Sequence, residues 1–217
     1  MTFDLFDAQD AVEPATEPIA EGAVVLRAFA RAVQDGLVAD VTAVIAAAPL
    51  RHLVTPGGLR MAVAMTNCGA LGWLSDRRGY RYDALDPQRG VPWPPMPDSF
   101  LRLAREAAAA AGFAGFTPDA GLINRYVPGT KLSLHQDRDE RDHGAPIVSV
   151  SLGLPAVFLF GGLKRTDRAL RLSLRHGDVV VWGGPSRLRF HGVLALADGE
   201  HPLLGRQRIN LTFRRAG

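Results

Sequence analysis

The 217-residue chain is nearly free of cysteine: Cys68 is the single one. That excludes an intrachain disulfide framework and a cysteine-rich zinc module. Lysine is almost as scarce, with only Lys131 and Lys164 beside 23 arginines. The start, MTFDLFDAQDAVEPATEPIAEG, lacks both a basic stretch and an apolar run, so no export signal is read and a cytoplasmic location is expected. A membrane span is missing as well. Gly144 to Leu163 runs twenty residues without a charge, which is long enough to span. Yet Pro146, Gly153, Pro155, Gly161 and Gly162 interrupt it, and Ser149 and Ser151 alternate with Val148, Val150 and Leu152. A period of two belongs to consecutive buried strands, so no membrane partner is expected.

What is present is 47% apolar residues, enough to bury one sizeable core or two small ones. The net charge of +3 hides a division. Residues 1–50 hold eight acids against Arg27 and Arg31, a net of −6, which leaves +9 on residues 51–217. An arginine-rich body suits polyanions, because guanidinium pairs with phosphate and carboxylate through two parallel hydrogen bonds. A GC-rich coding sequence would give the same arginine bias.

The patterning points to an α+β fold. The first twenty residues have the composition of a loose tail or an edge segment. Residues 31–48 read as an amphipathic helix with Val33, Leu37, Val41, Val44 and Ile45 at helical spacing, ending before Pro49. A second helix spans 98–111, with Pro97-Asp98-Ser99 as its start, Leu101, Leu103 and Ala104 as its apolar side and Gly112 as its stop. Glycines and prolines punctuate 54–95, which reads as hairpins and loops. From Leu122 onward eight segments alternate: LINRYV, KLSLHQD, IVSVSL, AVFLF, ALRLSL, DVVVW, RFHGVL and RINLTF. Eight short strands bounded by turn residues indicate a barrel or a double-sheet jelly roll.

Two clusters carry chemistry. On a strand, His135 and Asp137 share a face, and His191 follows the apolar run 179–182 in another alternating segment. Two histidines and one carboxylate leave three metal positions open, the arrangement of non-haem Fe(II) oxygenases. By itself H-x-D is a weak signal, since a hydrogen-bonded or surface histidine is the commoner outcome. His52, His143, His176 and His201 are read that way. In the second cluster, Arg208, Asn210, Thr212 and Arg214 occupy one face of a strand, and Ile209, Leu211 and Phe213 the other. If the polar face looks inward, its arginines demand an anion. Asn124 and Tyr126, also on one face, could add neutral hydrogen bonds to a dicarboxylate.

These residues resemble the AlkB-type Fe(II)/2-oxoglutarate-dependent alkylation-repair dioxygenases, and the chain is identified as a member of their bacterial branch. The supporting words run over about 20–216: VTPGG at 54–58, MTNCG at 65–69, LGW at 71–73, PPMP at 94–97, INRY at 123–126, PGTKLSLHQD at 128–137, PIVSVSLGLPA at 146–156, FGGLKR at 160–165 and HGDVVVWGG at 176–184. The resemblance implies a double-stranded β-helix (jelly-roll) core with two flanking N-terminal helices and a β-hairpin lid that recognises the nucleotide. It implies an acidic segment 1–20 followed by one domain, with helices and lid in 21–115 and the catalytic core in 116–217.

It further implies that Fe(II) is held by His135, Asp137 and His191. For 2-oxoglutarate it points to Asn124, Tyr126 and Arg208 at the distal carboxylate and to Asn210 and Arg214 near the metal-bound end, with Arg214 orienting Asp137. Trp73 is expected to stack on the damaged base opposite His135, Asp139 to sit near its exocyclic amine, and Arg165 on the pocket wall. Tyr80, with Thr55, Met65 and Tyr82 nearby, resembles the lid that grips the nucleotide backbone, and Lys131 and Arg138 face phosphates. Cys68 is expected in that lid as a structural residue. The implied activity is oxidative demethylation of 1-methyladenine and 3-methylcytosine in single- or double-stranded DNA, with RNA a further substrate. It consumes 2-oxoglutarate and O2 and releases succinate, CO2 and formaldehyde, and a monomer is expected. Arg138, Gly121, residues 74–78 and Arg189 depart from the pattern, which touches strand gripping rather than the chemistry. Two other readings stay open on the residues alone: the same iron chemistry on a protein or small molecule, or a metal-binding nucleic-acid module without catalysis.

Overall fold

A computed structural model describes residues 14–217. In chain order its elements are β1 (Ala15–Ala20), β2 (Ala23–Arg27), α1 (Gln34–Ala47), β3 (Ala64–Gly69), β4 (Gly72–Asp76), β5 (Gly79–Asp83), β6 (Leu85–Asp86), β7 (Val91–Pro92) and α2 (Asp98–Ala110). There follow β8 (Ala120–Tyr126), β9 (Leu132–His135), β10 (Ile147–Gly153), β11 (Ala156–Phe160), β12 (Leu170–Leu174), β13 (Val179–Trp182), β14 (His191–Val193) and β15 (Arg208–Arg214). The eight alternating segments are β8 to β15. With β1, β2 and β3 they form two facing sheets, a seven-stranded one in the order β1-β2-β13-β10-β15-β8-β3 and a four-stranded one in the order β12-β11-β14-β9. This is the jelly roll.

Period-two alternation sorts the residues of the large sheet into two layers. Val148, Val150 and Leu152 of β10, Val179 and Val181 of β13, and Ile209, Leu211 and Phe213 of β15 turn outward. There they meet Leu37, Val41 and Val44 of α1 and Phe100, Leu103 and Ala104 of α2. On the inner side, Tyr126, Ile147, Val180 and Trp182 meet Phe158 and Phe160 of the small sheet. Helices therefore cover one face of the large sheet and the small sheet covers the other. Strands β10, β13 and β15 are buried along their whole length.

The helices form where the spacing placed them, with small shifts. Residues 31–33 make a 3-10 turn rather than helix, Val33 is exposed, and α1 begins at Gln34. It ends at Ala47 because Ala48 precedes Pro49 and is extended. In α2 the buried residue of the first turn is Phe100, and Leu101 is only half-buried. Phe100 packs on Phe213 with ring centroids 5.7 Å apart, and Ser99 donates to Asp40 of α1.

Three expectations are corrected. Residues 15–20 are the edge strand β1, so the loose-tail alternative fails there; residues 1–13 lie outside the described residues. Within 54–95, β3 is no hairpin but the far edge of the large sheet, paired with β8 from Ala64↔Arg125 to Gly69↔Ala120. Cys68 belongs to β3, fully buried against the helix layer and not in the lid. Desolvation there pushes its thiol up to about 12. β2 and β3 complete the same sheet as the strands after residue 116.

One buried carboxylate fastens the edge of this sheet. Asp178 accepts from Arg27 Nη1 at 2.7 Å, from the Ala28 amide at 2.9 Å and from the Arg175 amide at 2.9 Å. Replacing it with alanine leaves two backbone amides without their acceptor, while the Arg27 guanidinium keeps Glu17 and the Ser173 carbonyl. Asp178→Ala is expected to lower stability by about 3 kcal/mol, read as a fall in the urea midpoint at unchanged slope.

Candidate metal centre and cosubstrate pocket

The last residue of β9 and the first of β14 face each other: His135 and His191 are direct partners in the small sheet. Their strands approach closely because residue 192 is glycine. A Cβ there would lie 2.7 Å from the Leu132 carbonyl oxygen. Asp137, two residues beyond His135, completes the group, and the ligand atoms of the three side chains all lie within 4.8 Å of one another. The Nε2 atoms of His135 and His191 are each 3.6 Å from an Asp137 oxygen. The Nδ1 atoms lie 2.9 Å and 3.1 Å from the carbonyls of Ser133 and Arg189. Since carbonyls only accept, each Nδ1 carries a proton, which turns each Nε2 towards Asp137. Burial, with the neighbouring His191, pushes His135 down to about 4, so its ring is neutral at neutral pH. Trp182 packs edge-on at 4.9 Å from His191 and walls the site.

Burial by itself would raise the Asp137 carboxyl. The Arg214 guanidinium, with His191 and His135, overrides that and holds it well below the usual carboxylate range. Arg214 donates from Nε at 2.9 Å and Nη2 at 2.5 Å to the same Asp137 oxygen. Glu140 adds a second anion, 3.2 Å from Arg214 Nε and 3.1 Å from Arg187 Nη2, and accepts from the Tyr82 hydroxyl at 2.7 Å. Arg187 in turn donates to the Asp137 carbonyl at 2.7 Å. Glu140 and Arg187 escaped the sequence reading. In the run Asp137-Arg138-Asp139-Glu140-Arg141-Asp142 the chain has left the strand, and no period tells which charge turns inward.

Six residues along β15 from Arg214 lies a cation of the opposite kind. Arg208 is 1% exposed, its guanidinium sits 5.1 Å over the Tyr126 ring, and Nη2 donates to Ser151 Oγ at 2.9 Å. Its Nε and Nη1 are buried without a partner, and burial lowers its pKa. A buried guanidinium with two unmet donors calls for an anion. Around it, Asn124 donates to Asn210 Oδ1 at 3.3 Å, while Asn210 donates to Ser149 Oγ at 2.8 Å and to the Val150 carbonyl at 3.0 Å. The polar face of β15 thus runs from an unpaired buried cation to the carboxylate of the triad. That donor set, an unmet guanidinium at one end and a His-Asp-His group at the other, has the chemistry to hold a dicarboxylate beside a metal.

The hairpin β4–β5 is tied to the segment that follows Asp137, through Asp139 and Glu140. Trp73 donates from Nε1 to Asp139 at 2.8 Å and stacks on Tyr80 with centroids 5.7 Å apart and planes 13° from parallel. Gly72 lets the hairpin fit, since a Cβ there would meet the Trp93 ring at 2.4 Å. Tyr80 is exposed, whereas the Tyr82 hydroxyl is committed inward to Glu140. Met65 lies buried on β3 opposite Asn124. Thr55 closes a tight turn by accepting from the Leu59 amide at 3.1 Å. Lys131, Arg138 and Arg165 are exposed, Arg165 lying over Phe190 at 5.2 Å. His52 Nδ1 bonds the Met61 carbonyl and His176 bonds Gln34 and Gly153, away from the triad.

Replacing Arg208 separates pocket chemistry from folding. Arg208→Met removes a buried cation that no carboxylate among the described residues pairs. The apoprotein is expected to melt no lower than wild type, while affinity for 2-oxoglutarate, measured with Mn(II) by calorimetry, falls by about 100-fold or more.

The comparisons with known proteins agree with this geometry. The family described as the 2OG-Fe(II) oxygenase superfamily matches residues 22–214. The chain is 60% identical over 205 residues to the alpha-ketoglutarate-dependent dioxygenase AlkB of Escherichia coli, covering 94% of this chain and 95% of that one. It is 40% identical over 133 residues to mouse nucleic acid dioxygenase ALKBH1, covering 60% of this chain and 34% of that protein. Among solved structures it is similar to OsALKBH1, with a TM-score of 0.79, 29% identity and coverage of 93% of this chain and 100% of that one. The chain belongs to the 2OG-Fe(II) oxygenase superfamily and, within it, to the AlkB-type dioxygenases that use iron, 2-oxoglutarate and O2.

Proposed function

We propose that this enzyme repairs alkylated nucleic acid by oxidatively demethylating 1-methyladenine and 3-methylcytosine. The observation that carries the reading is an indole held beside a carboxylate two residues beyond Asp137: Trp73 Nε1 donates to Asp139. Both methylated bases are flat cations, which an aromatic face and a nearby carboxylate attract. Neither can pair normally, so each leaves the stack at lower cost than an intact base. The name of the bacterial relative supports the dioxygenase chemistry, and that of the mouse relative, a nucleic acid dioxygenase, supports the substrate class.

When bound, iron with 2-oxoglutarate and O2 supplies the oxidation of N–CH3 to N–CH2OH, with succinate and CO2 as co-products; the N–C bond of the cationic hemiaminal then breaks, releasing formaldehyde and a proton and returning the neutral unmethylated base. The chain's residues prepare that event. His135, Asp137 and His191 would hold the iron, and Arg208, with Tyr126 and Asn124, the distal carboxylate of 2-oxoglutarate. Asn210 and Arg214 border its other end. Arg214 keeps Asp137 ionised, Trp182 and Phe158 keep the His191 side apolar, and Trp73 places the methyl group over the centre. Lys131 and Arg138 stand exposed for phosphates, and Arg165 borders the base pocket. DNA in either strand form and RNA are the substrates, and the protein acts as a cytoplasmic monomer. No helix among the described residues is long and apolar enough to cross a membrane, and the lone cysteine is buried.

The test is formaldehyde release from an oligonucleotide carrying 3-methylcytosine. Wild type is expected to release one formaldehyde per lesion. Trp73→Ala is expected to lose about 10- to 100-fold in kcat/KM, as one base–aromatic stack is worth, at unchanged 2-oxoglutarate affinity. Iron-replete wild type that leaves the methyl group in place would refute the reading.

A further inference from the structure

Beside the lid lies a cavity of about 350 Å³ bordered by Leu71, Tyr80, Arg81, Asp139, Arg141 and Gly217. That volume is in the range that takes a small ligand. It does not include the triad, and Trp73 is not among its walls. β5 contributes one side with an unpaired edge, because its sheet has only β4 as a partner. Tyr80 has one ring face on Trp73 and is 48% exposed, so its other face is open to the cavity. Two of the charged walls already have partners: Asp139 accepts from Trp73 Nε1, and Arg81 holds Asp76 at 2.9 Å. Arg141 is exposed, and among the described residues no salt bridge occupies its guanidinium. Its backbone is fixed independently, through the Arg141 amide to the Ala216 carbonyl at 3.1 Å.

We infer that this cavity is a second nucleotide subsite, which receives a neighbour of the damaged residue on the same strand. Its base stacks on the open face of Tyr80, and its phosphate pairs with Arg141. The inference rests on the proposed function, in which the damaged base stacks on Trp73. Its addition is a continuous stack: damaged base, Trp73, Tyr80, neighbouring base. An extruded base drags its adjoining phosphodiesters to the rim of the pocket, so a base from the same strand is within reach of a platform one ring away. Stacking of this kind is tolerant of base identity, since every base offers a π-face. The cation adds backbone affinity that weakens with salt.

The experiment uses enzyme loaded with Fe(II) and 2-oxoglutarate under nitrogen. The ligands are a pentanucleotide with a central 3-methylcytosine and the corresponding mononucleotide. Arg141→Ala is expected to weaken the pentanucleotide roughly tenfold, a value at the lower end of base–aromatic and phosphate contacts, while mononucleotide affinity stays within twofold. Tyr80→Leu is expected to weaken the normal pentanucleotide, and most of that loss should vanish when one neighbour is abasic. The abasic position that abolishes the loss, 5′ or 3′, names the neighbour. Unchanged pentanucleotide binding by Arg141→Ala would overturn the inference. So would equal weakening of both ligands, or a Tyr80→Leu loss indifferent to abasic replacement on either side. Failure of wild type to prefer the methylated pentanucleotide over its unmethylated twin would instead overturn the proposed function.

Discussion

The site depends on keeping one carboxylate ionised where it is nearly out of reach of water. Asp137 is 9% exposed, and a buried carboxyl would ordinarily take up a proton. Arg214 prevents this with two donors to one oxygen. That guanidinium is balanced in turn by Glu140, which also holds Arg187 and Tyr82. None of these charges is stable alone at that depth; each removal would leave its partner buried and uncompensated. The network reaches the β4–β5 hairpin through Tyr82, so that hairpin is tied to the carboxylate of the triad.

The same strand carries a contrasting device. β15 offers Arg214 fully paired at one end and Arg208 unmet at the other, with Asn210 between them. A fold would gain by losing Arg208 unless an outside anion neutralises it. Its retention makes the pocket read as built for a ligand with a carboxylate at that depth. Selectivity then follows from length: a diacid must reach from Arg208 to the triad. The outer face of β15, all aliphatic or aromatic, is packed against the helices and holds this spacing rigid.

Alternation made much of this legible. Eight strands and the division of 208–214 into a polar and an apolar face follow from period-two patterning, while the burial of both faces comes from the packing of β15 between helices and small sheet. His135 and Asp137 were placed on one face by the same rule, but their meeting with His191 is a matter of sheet order, which no local pattern contains. β3 and Cys68 were misplaced because a buried edge strand in a glycine-rich stretch looks like hairpin sequence. Glu140 and Arg187 were invisible for a related reason: they lie just beyond strand ends, where periodicity stops and only tertiary packing decides direction. β1 shows the converse, an exposed edge strand whose composition resembles a tail.

The central claim is that the triad and Arg208 together form one site for iron and 2-oxoglutarate. It is tested most directly by adding both to the apoprotein without oxygen and recording the visible spectrum. The account requires a metal-to-ligand charge-transfer band that saturates with 2-oxoglutarate and is absent in Asp137→Ala. No band from folded wild-type protein, or an undiminished band in Asp137→Ala, would contradict it.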